Sequence, residues 1–185
     1  MAPVLATRPL RAAAPADRPA LARLAAACLG DYGDYAAILR TWADEPGVRT
    51  VVAPAPAATP GPTPVAWPGR GVAEPLLGFA MFAWLRPEPG GPPQGDILAV
   101  AVDPEARGTG VGARLLDHAL TTLTREAPAM GGEAAALVVA TTNTAGQALF
   151  RAAGFVPDGG PAPLYPNGQR GLRMRRPLGP ATERS

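Results

Sequence analysis

The stretch DPEARGTGVGARLL, residues 103 to 116, carries three glycines at alternate positions between an apolar run and an amphipathic one. Glycines between a strand and a helix let backbone N–H groups close around a phosphate, because the helix N-terminus favours an anion. Read as text, Gly108 to Ala113 even matches the dinucleotide fingerprint G-x-G-x-x-G/A. Context rejects that match. In a dinucleotide fold the first strand runs straight into the glycines, and an acidic residue for the ribose ends the next strand. Here DPEA intervenes and the next apolar run ends in ATTN. A P-loop is excluded too, since it needs a lysine for the β- and γ-phosphates and all 17 basic residues are arginine. What remains is Arg107 and the amides of Gly108, Thr109, Gly110, Val111, Gly112 and Ala113, a cradle for a pyrophosphate that needs no cation. Gly110 and Gly112 are read as the positions where a Cβ would block the phosphates.

Other reactive side chains are few. One histidine and one cysteine cannot supply a metal-ligand set, so no metal is expected. His118, beside Asp117, reads as a polar-face residue of the helix after the glycines. Cys28 falls at helical spacing with Leu21, Leu24 and Ala25, which places it on a buried face as a small hydrophobe. An acyl-carrying thiol would need a lowered pKa, and no base lies nearby in sequence. The single cysteine excludes an internal disulfide and fits a reducing cytoplasm.

The elements that must position these groups follow from periodicity. The chain of 185 residues suits one domain. Its 47 % apolar and 17 % charged content is that of a globular protein, and the all-arginine basic set with abundant Ala, Gly and Pro reads as codon bias. A net charge of +2 argues against nucleic acid or an anionic membrane as partner, and no apolar run is long enough to span a bilayer. VLATRPL (4–10) reads as a strand, residues 15 to 30 as a helix closed by Gly30, and Asp34 to Ala43 as a second helix. Strands are expected at 49–53, 76–87 and 95–104, the last two joined by the hairpin loop EPGGPPQG. After the glycines, Val111, Leu115, Leu116, Ala119, Leu120 and Leu123 share one helical face. A buried strand at 134–140, a helix opened by Asn143 or Thr144, and a final strand at 171–178 complete a mixed sheet flanked by helices. Residues 54–75 are a proline-rich insertion, read as a tolerated loop or as a substrate lid with Trp67 as its contact.

The spelling V-D-P-x-x-R-G-x-G-V-G-x-x-L-L resembles the acyl-CoA pyrophosphate loop of the GNAT superfamily of N-acetyltransferases, whose pattern Q/R-x-x-G-x-G/A is met by Arg107, Gly110 and Gly112. NTAGQALFRAAGF resembles that family's later block, with Asn143, Leu149, Phe150, Gly154 and Phe155 in place, and LRMRRPL resembles its last strand. Residues 76–178 carry the resemblance; residues 1–48 match only in the order of strand and helices.

The resemblance implies an α/β (α+β) fold: a mostly antiparallel mixed sheet of six to seven strands, about four helices, and splayed central parallel strands. Within one domain, 1–48 would form the acceptor side and 95–155 the acyl-CoA core. It further implies acetyl-CoA as co-substrate, with pantetheine against the backbone of Val100, Ala101 and Val102 and against Asn143 and Phe150. Asn143 can cap its helix as well, and Arg107 is either a phosphate contact or a solvated turn residue. The acceptor would be a primary amine, which must lose a proton before it attacks. Asp96 is read as the base, or else as a plain turn aspartate after Gly95. The oxyanion donor is read as the N–H of Val102.

Many relatives place a tyrosine acid where this chain has Phe150; Tyr165 in PLYPNG is the substitute, a substrate contact, or a simple loop aromatic. Asp31, Asp34, Asp44 and Glu45 would suit a cationic acceptor or form a solvated face. An acyl-CoA-binding module without turnover is the alternative to an enzyme, and a homodimer is left open.

Overall fold

The computed structural model describes residues 8–56, 74–161 and 163–179. Trp67 and most of the proline-rich insertion lie outside the described residues. In chain order the elements are β1 (Arg11–Ala12), α1 (Arg18–Leu29), α2 (Tyr35–Asp44), β2 (Arg49–Pro54), β3 (Leu76–Leu85), β4 (Gln94–Val102), α3 (Val111–Met130), β5 (Ala134–Ala140), α4 (Thr144–Ala152), β6 (Val156–Pro157) and β7 (Gly171–Pro177). They form one seven-stranded sheet of order β1-β2-β3-β4-β5-β7-β6, antiparallel throughout except for β4 against β5.

Most elements stand where periodicity puts them. The first strand does not. Residues 8 to 10 are irregular and the strand is the two residues Arg11–Ala12, paired with Val51 and Val52. Pro9 has no N–H to give a ladder and fixes its own φ, so pairing starts beyond it. Of the expected strand at 4–10, residues 4–7 lie outside the described residues.

Each sheet face buries one set of helices. On one face, Leu115, Leu116, Ala119 and Leu123 of α3 and Phe150 of α4 pack on Ala80, Phe82, Ile97, Leu137 and Met174. On the other, Ala20, Leu24 and Ala25 of α1 and Leu39 of α2 pack on Phe79, Met81, Ala99 and Ala101. Strand alternation explains the division within β3, where 79 and 81 point one way and 80 and 82 the other. Strand β4 breaks the rule. Ile97 faces α3, whereas Ala99 and Ala101 face α1, a change of face that an unbroken alternation forbids.

The cause is a bulge. Met81 registers with Ala99 but Phe82 registers with Ile97, which leaves Leu98 without a partner on β3. An extra residue bends its strand and sharpens its twist. Accordingly β4 pairs with β5 only through Gly95, Asp96 and Ile97, against Ala135, Ala136 and Leu137, and the strands part beyond that point. The described residues contain no helix long and apolar enough to cross a membrane.

Candidate active site

The parting strands leave a V whose walls are the outer half of β4 and the end of β5. The N–H of Asp103 donates to the carbonyl of Leu77 at 2.8 Å. Because antiparallel ladders alternate, Ala101 also turns its backbone groups to β3, while Val100 and Val102 turn theirs into the V. Ala101, expected to contact pantetheine, is therefore committed to the sheet, opposite Phe79. The side of Val102 is in use as well: its carbonyl accepts from the Cys28 thiol at 3.3 Å and from Arg107 Nε at 3.5 Å. Cys28 is thus half-buried, packed against the core under α1 with its thiol on the Val102 carbonyl. Burial pushes its thiol up, against the nearby Arg107 guanidinium, so it is a weak nucleophile.

At the wide end of the V stands the N-terminus of α3. Its first helical hydrogen bond runs from Arg114 N–H to the Gly110 carbonyl at 3.0 Å, and no side chain caps it. The N–H groups of Gly110 to Ala113 are therefore the orphan donors of the first turn, at the positive end of a 20-residue helix. Gly108 and Gly110 hold φ of +75° and +85°, and a Cβ on either would meet nothing within 4 Å. Their glycine is required by backbone conformation. Gly112 is different: a Cβ there would come within 3.3 Å of Val102 and 3.4 Å of Leu149. A side chain there would crowd the seat of α3 against the sheet and α4. Thr109 is exposed and folds its hydroxyl back onto the Ala106 carbonyl at 2.6 Å, and Arg107 is exposed beside the turn.

Along the V, a narrow recess of about 60 Å³ is lined by Leu98, Val100, Asn143, Phe150, Tyr35 and Tyr165. Asn143 caps α4, its Oδ1 accepting from Gly146 N–H at 2.8 Å, and also faces this recess. Phe150 is 8 % exposed and lies edge-on to Phe155. Its ring forms a wall and offers no proton.

The apex of the V opens on a second pocket of about 240 Å³ that contains both Asp96 and Tyr165, with Tyr35, Trp42, Leu98 and Val138. Asp96 accepts from Gln94 Nε2 at 3.0 Å. Burial raises its carboxyl above the usual carboxylate range, opposed by the Gln94 bond and by the charge of Arg173. The Tyr165 hydroxyl donates to the Val138 carbonyl at 3.2 Å. Burial among phenols, chiefly by desolvation, keeps it protonated to unusually high pH.

All three tyrosines of the chain meet here: the rings of Tyr32 and Tyr35 lie 5.2 Å and 6.2 Å from that of Tyr165. Two loops distant in sequence are tied to make this meeting. Gln169 Nε2 donates to the Asp31 carbonyl at 2.8 Å, Asn167 donates to the same oxygen, and Tyr165 N–H closes its own hairpin on Gln169 at 2.9 Å.

The acidic residues of the first helices have other work. Asp34 caps α2, accepting from Ala37 N–H at 3.1 Å, and Asp44 pairs with Arg18. None of Asp31, Asp34, Asp44 and Glu45 lines the Asp96 pocket. The expected N–H of Val102 does not line it either, being past the recess toward α3. The bulged Leu98, partnered on neither neighbouring strand, borders both cavities instead. Tyr32, Tyr35 and Trp42 escaped the sequence reading, which took GDYGDYAAILRTWADE for its acids. In a chain with 5 % aromatics, two tyrosines three residues apart were the available signal. His118 is exposed on α3, and among the described residues no group of three or more His, Cys, Asp or Glu could hold a metal.

Known proteins share this fold. The model of the acetyltransferase (GNAT) family matches residues 32–155. A GCN5-related N-acetyltransferase from Kribbella flavida is 26 % identical, with a TM-score of 0.65 over 91 % of this chain and 96 % of that one. The ribosomal-protein-S18-alanine N-acetyltransferase from Escherichia coli is 17 % identical, with a TM-score of 0.63 over 96 % and 97 %. A chain of the NatC complex bound to Gag peptide and CoA is 19 % identical, with a TM-score of 0.66 over 92 % and 98 %. No curated protein sequence matches the chain significantly.

Proposed function

This chain belongs to the acetyltransferase (GNAT) family, and on that premise we propose that it transfers the acetyl group of acetyl-CoA to a primary amine by direct attack in a ternary complex. One observation carries the reading. A single V joins an uncapped helix N-terminus at one end to a desolvated carboxylate at the other, with a narrow recess between.

The orphan amides of Gly110 to Ala113 would take the pyrophosphate, with Arg107 alongside. Val100 offers the backbone that pantetheine pairs with, and Asn143 and Phe150 wall the recess that receives the thioester. An amine in the next pocket then stands against Asp96. An alkylammonium has a pKa near 10, so it must give up a proton first. Asp96 accepts it directly or through one water, and its raised pKa narrows the gap for that transfer. The amine attacks the carbonyl carbon and the C–N bond forms. The oxyanion is met by the N–H of Leu98, the bulged residue that registers with neither neighbouring strand. Collapse breaks the C–S bond, the thiolate takes a proton from Tyr165 or from water, and the second proton lost by the attacking nitrogen restores that donor. A phenol held protonated by burial is a ready donor but a weak acid. CoA thiol, comparable to cysteine at roughly 8.5, needs little help to leave.

Phe150 favours one other reading, an acyl-CoA-binding module without turnover, because it stands where relatives carry a phenolic acid. Incubation with acetyl-CoA and a panel of amines, read as release of free thiol, separates the two. Amine-dependent thiol release supports the enzyme. Saturable CoA binding with no release on any acceptor supports the module.

A further inference from the structure

The pocket holding Asp96 and Tyr165 does not end at Asp96. A second cavity of about 400 Å³ lies on its far side, and the two share Asp96, Val138 and Pro163 in their walls. Their linings differ in kind. On the tyrosine side the lining is aromatic and aliphatic, with Tyr35, Trp42, Leu164 and Tyr165, and Asp96 is its one ionisable acid. On the far side the charged lining is Arg86, Arg173 and Asp96.

Register explains the juxtaposition. Asp96 pairs with Ala136 and Ala136 with Arg175, so these residues and their i±2 neighbours Val138 and Arg173 share one face of the sheet. Helices α1 and α2 cover β3 and β4 on that face, and Val138 remains 42 % exposed beyond them. An apolar floor about two strand spacings wide, roughly 10 Å, thus separates the carboxylate on β4 from the guanidinium on β7. Arg173 is half-exposed and meets Asp158 through Nε at 2.9 Å, while the exposed Arg86 donates Nη1 to the Gly91 carbonyl at 2.6 Å.

We propose that the acceptor is a free α-amino acid with a bulky apolar side chain: its amine at Asp96, its side chain among Tyr35, Trp42 and Tyr165, and its carboxylate toward Arg173. This rests on the acetyl-transfer reading above. A guanidinium suits a carboxylate, since its planar fork matches the two oxygens. Indole and phenol rings suit an apolar side chain, and of the residues that border both compartments Asp96 alone is ionisable. Acetylation of such an acceptor forms the amide C–N bond, breaks the thioester C–S bond, sends the amine proton to Asp96 and returns one to the thiolate. The product loses the ammonium and keeps the carboxylate.

Matched acceptors test this with acetyl-CoA: L-phenylalanine, L-phenylalaninamide, 2-phenylethylamine, glycine and the dipeptide Phe-Ala. Phenylalanine should exceed the amide, the amine, the dipeptide and glycine in kcat/KM by tenfold or more. Arg173→Gln should remove that advantage, bringing the ratio of kcat/KM for phenylalanine to that for 2-phenylethylamine down by tenfold or more. Asp158→Asn removes the same ion pair but keeps the guanidinium, and should preserve the discrimination. Equal rates on phenylalanine and its amide, a preference for the dipeptide, or an equal fall on all acceptors in Arg173→Gln would each overturn the proposal. Thiol release on none of these or any other amine would instead remove the acetyl-transfer reading beneath it.

Discussion

The hydroxyl of Tyr165 donates to the carbonyl of Val138 at 3.2 Å, on the edge of β5 that β4 leaves one residue earlier, at Leu137. A phenol from a loop thereby occupies the first backbone acceptor exposed by the splay. Tyr165→Phe removes that bond and the proposed proton donor while keeping the ring against Tyr32 and Tyr35. We expect kcat to fall about 10²-fold, the low end for a lost general acid, with acetyl-CoA affinity unchanged by calorimetry. A variant with wild-type kcat would leave water as the proton source.

Asp96→Asn should lower kcat/KM by about 10²-fold with little change in acetyl-CoA binding. The acid limb of the wild-type pH profile should lie above the ordinary carboxylate range, because burial raises this group. The same shift has a stability sign. A carboxyl raised in the folded state contributes stability that is fully present below its unfolded pKa and lost as pH rises through the folded value. Once ionised, Asp96 therefore weakens the fold, and above that transition Asp96→Asn should melt no lower than wild type. A melting point below wild type would contradict this.

Gly110→Val and Gly112→Val should fail in different ways. At Gly110 the cost is conformational, since φ is +85° and nothing crowds the Cβ. A non-glycine there costs about 1–2 kcal/mol, and relief by turning the loop misdirects the orphan amides. The expected result is a loss of acetyl-CoA affinity of about tenfold or more with the far-UV spectrum unchanged. At Gly112 the added atoms meet Val102 and Leu149, so the melting temperature should fall together with affinity.

Away from the site, Asp17 is 2 % exposed, accepts from Arg11 at 2.6 and 2.9 Å, and takes the Ala14 N–H at 2.8 Å. The Arg11 hydrogen bonds hold its carboxyl below the usual range, more than burial raises it. A depressed carboxylate contributes stability present above its unfolded pKa of about 3.9 and lost as pH falls through the folded value. Asp17→Ala should cost about 2 kcal/mol at pH 7, seen as a lower urea midpoint. The difference from wild type should shrink as pH falls below about 4.

What could be read from the sequence was local. The buried stripe of α3, the glycines that start it and the Asn143 cap depend on neighbours within a turn or two. So do most strand positions, and the phosphate reading of residues 108 to 113 followed from one turn meeting one helix. Where local pattern misled among the described residues, a local constraint had been missed: Pro9 keeps residues 8 to 10 out of the ladder that Arg11–Ala12 joins.

The rest was set by register between segments far apart in the chain. Nothing in GDILAVAV marks Leu98 as the extra residue. Its status depends on Met81 and Phe82 of another strand, and the V and the change of face in β4 follow from it. The union of Tyr32 and Tyr35 with Tyr165 depends on Gln169 and Asn167 reaching the Asp31 carbonyl. Arg173 faces the Asp96 cavity because β5 pairs with both their strands. The sequence by itself determined which segments become helix, strand and glycine turn, because propensity and periodicity act over a few residues. Only the tertiary structure decided which side chains share a pocket, because strand register and a single bulge choose the face each one occupies.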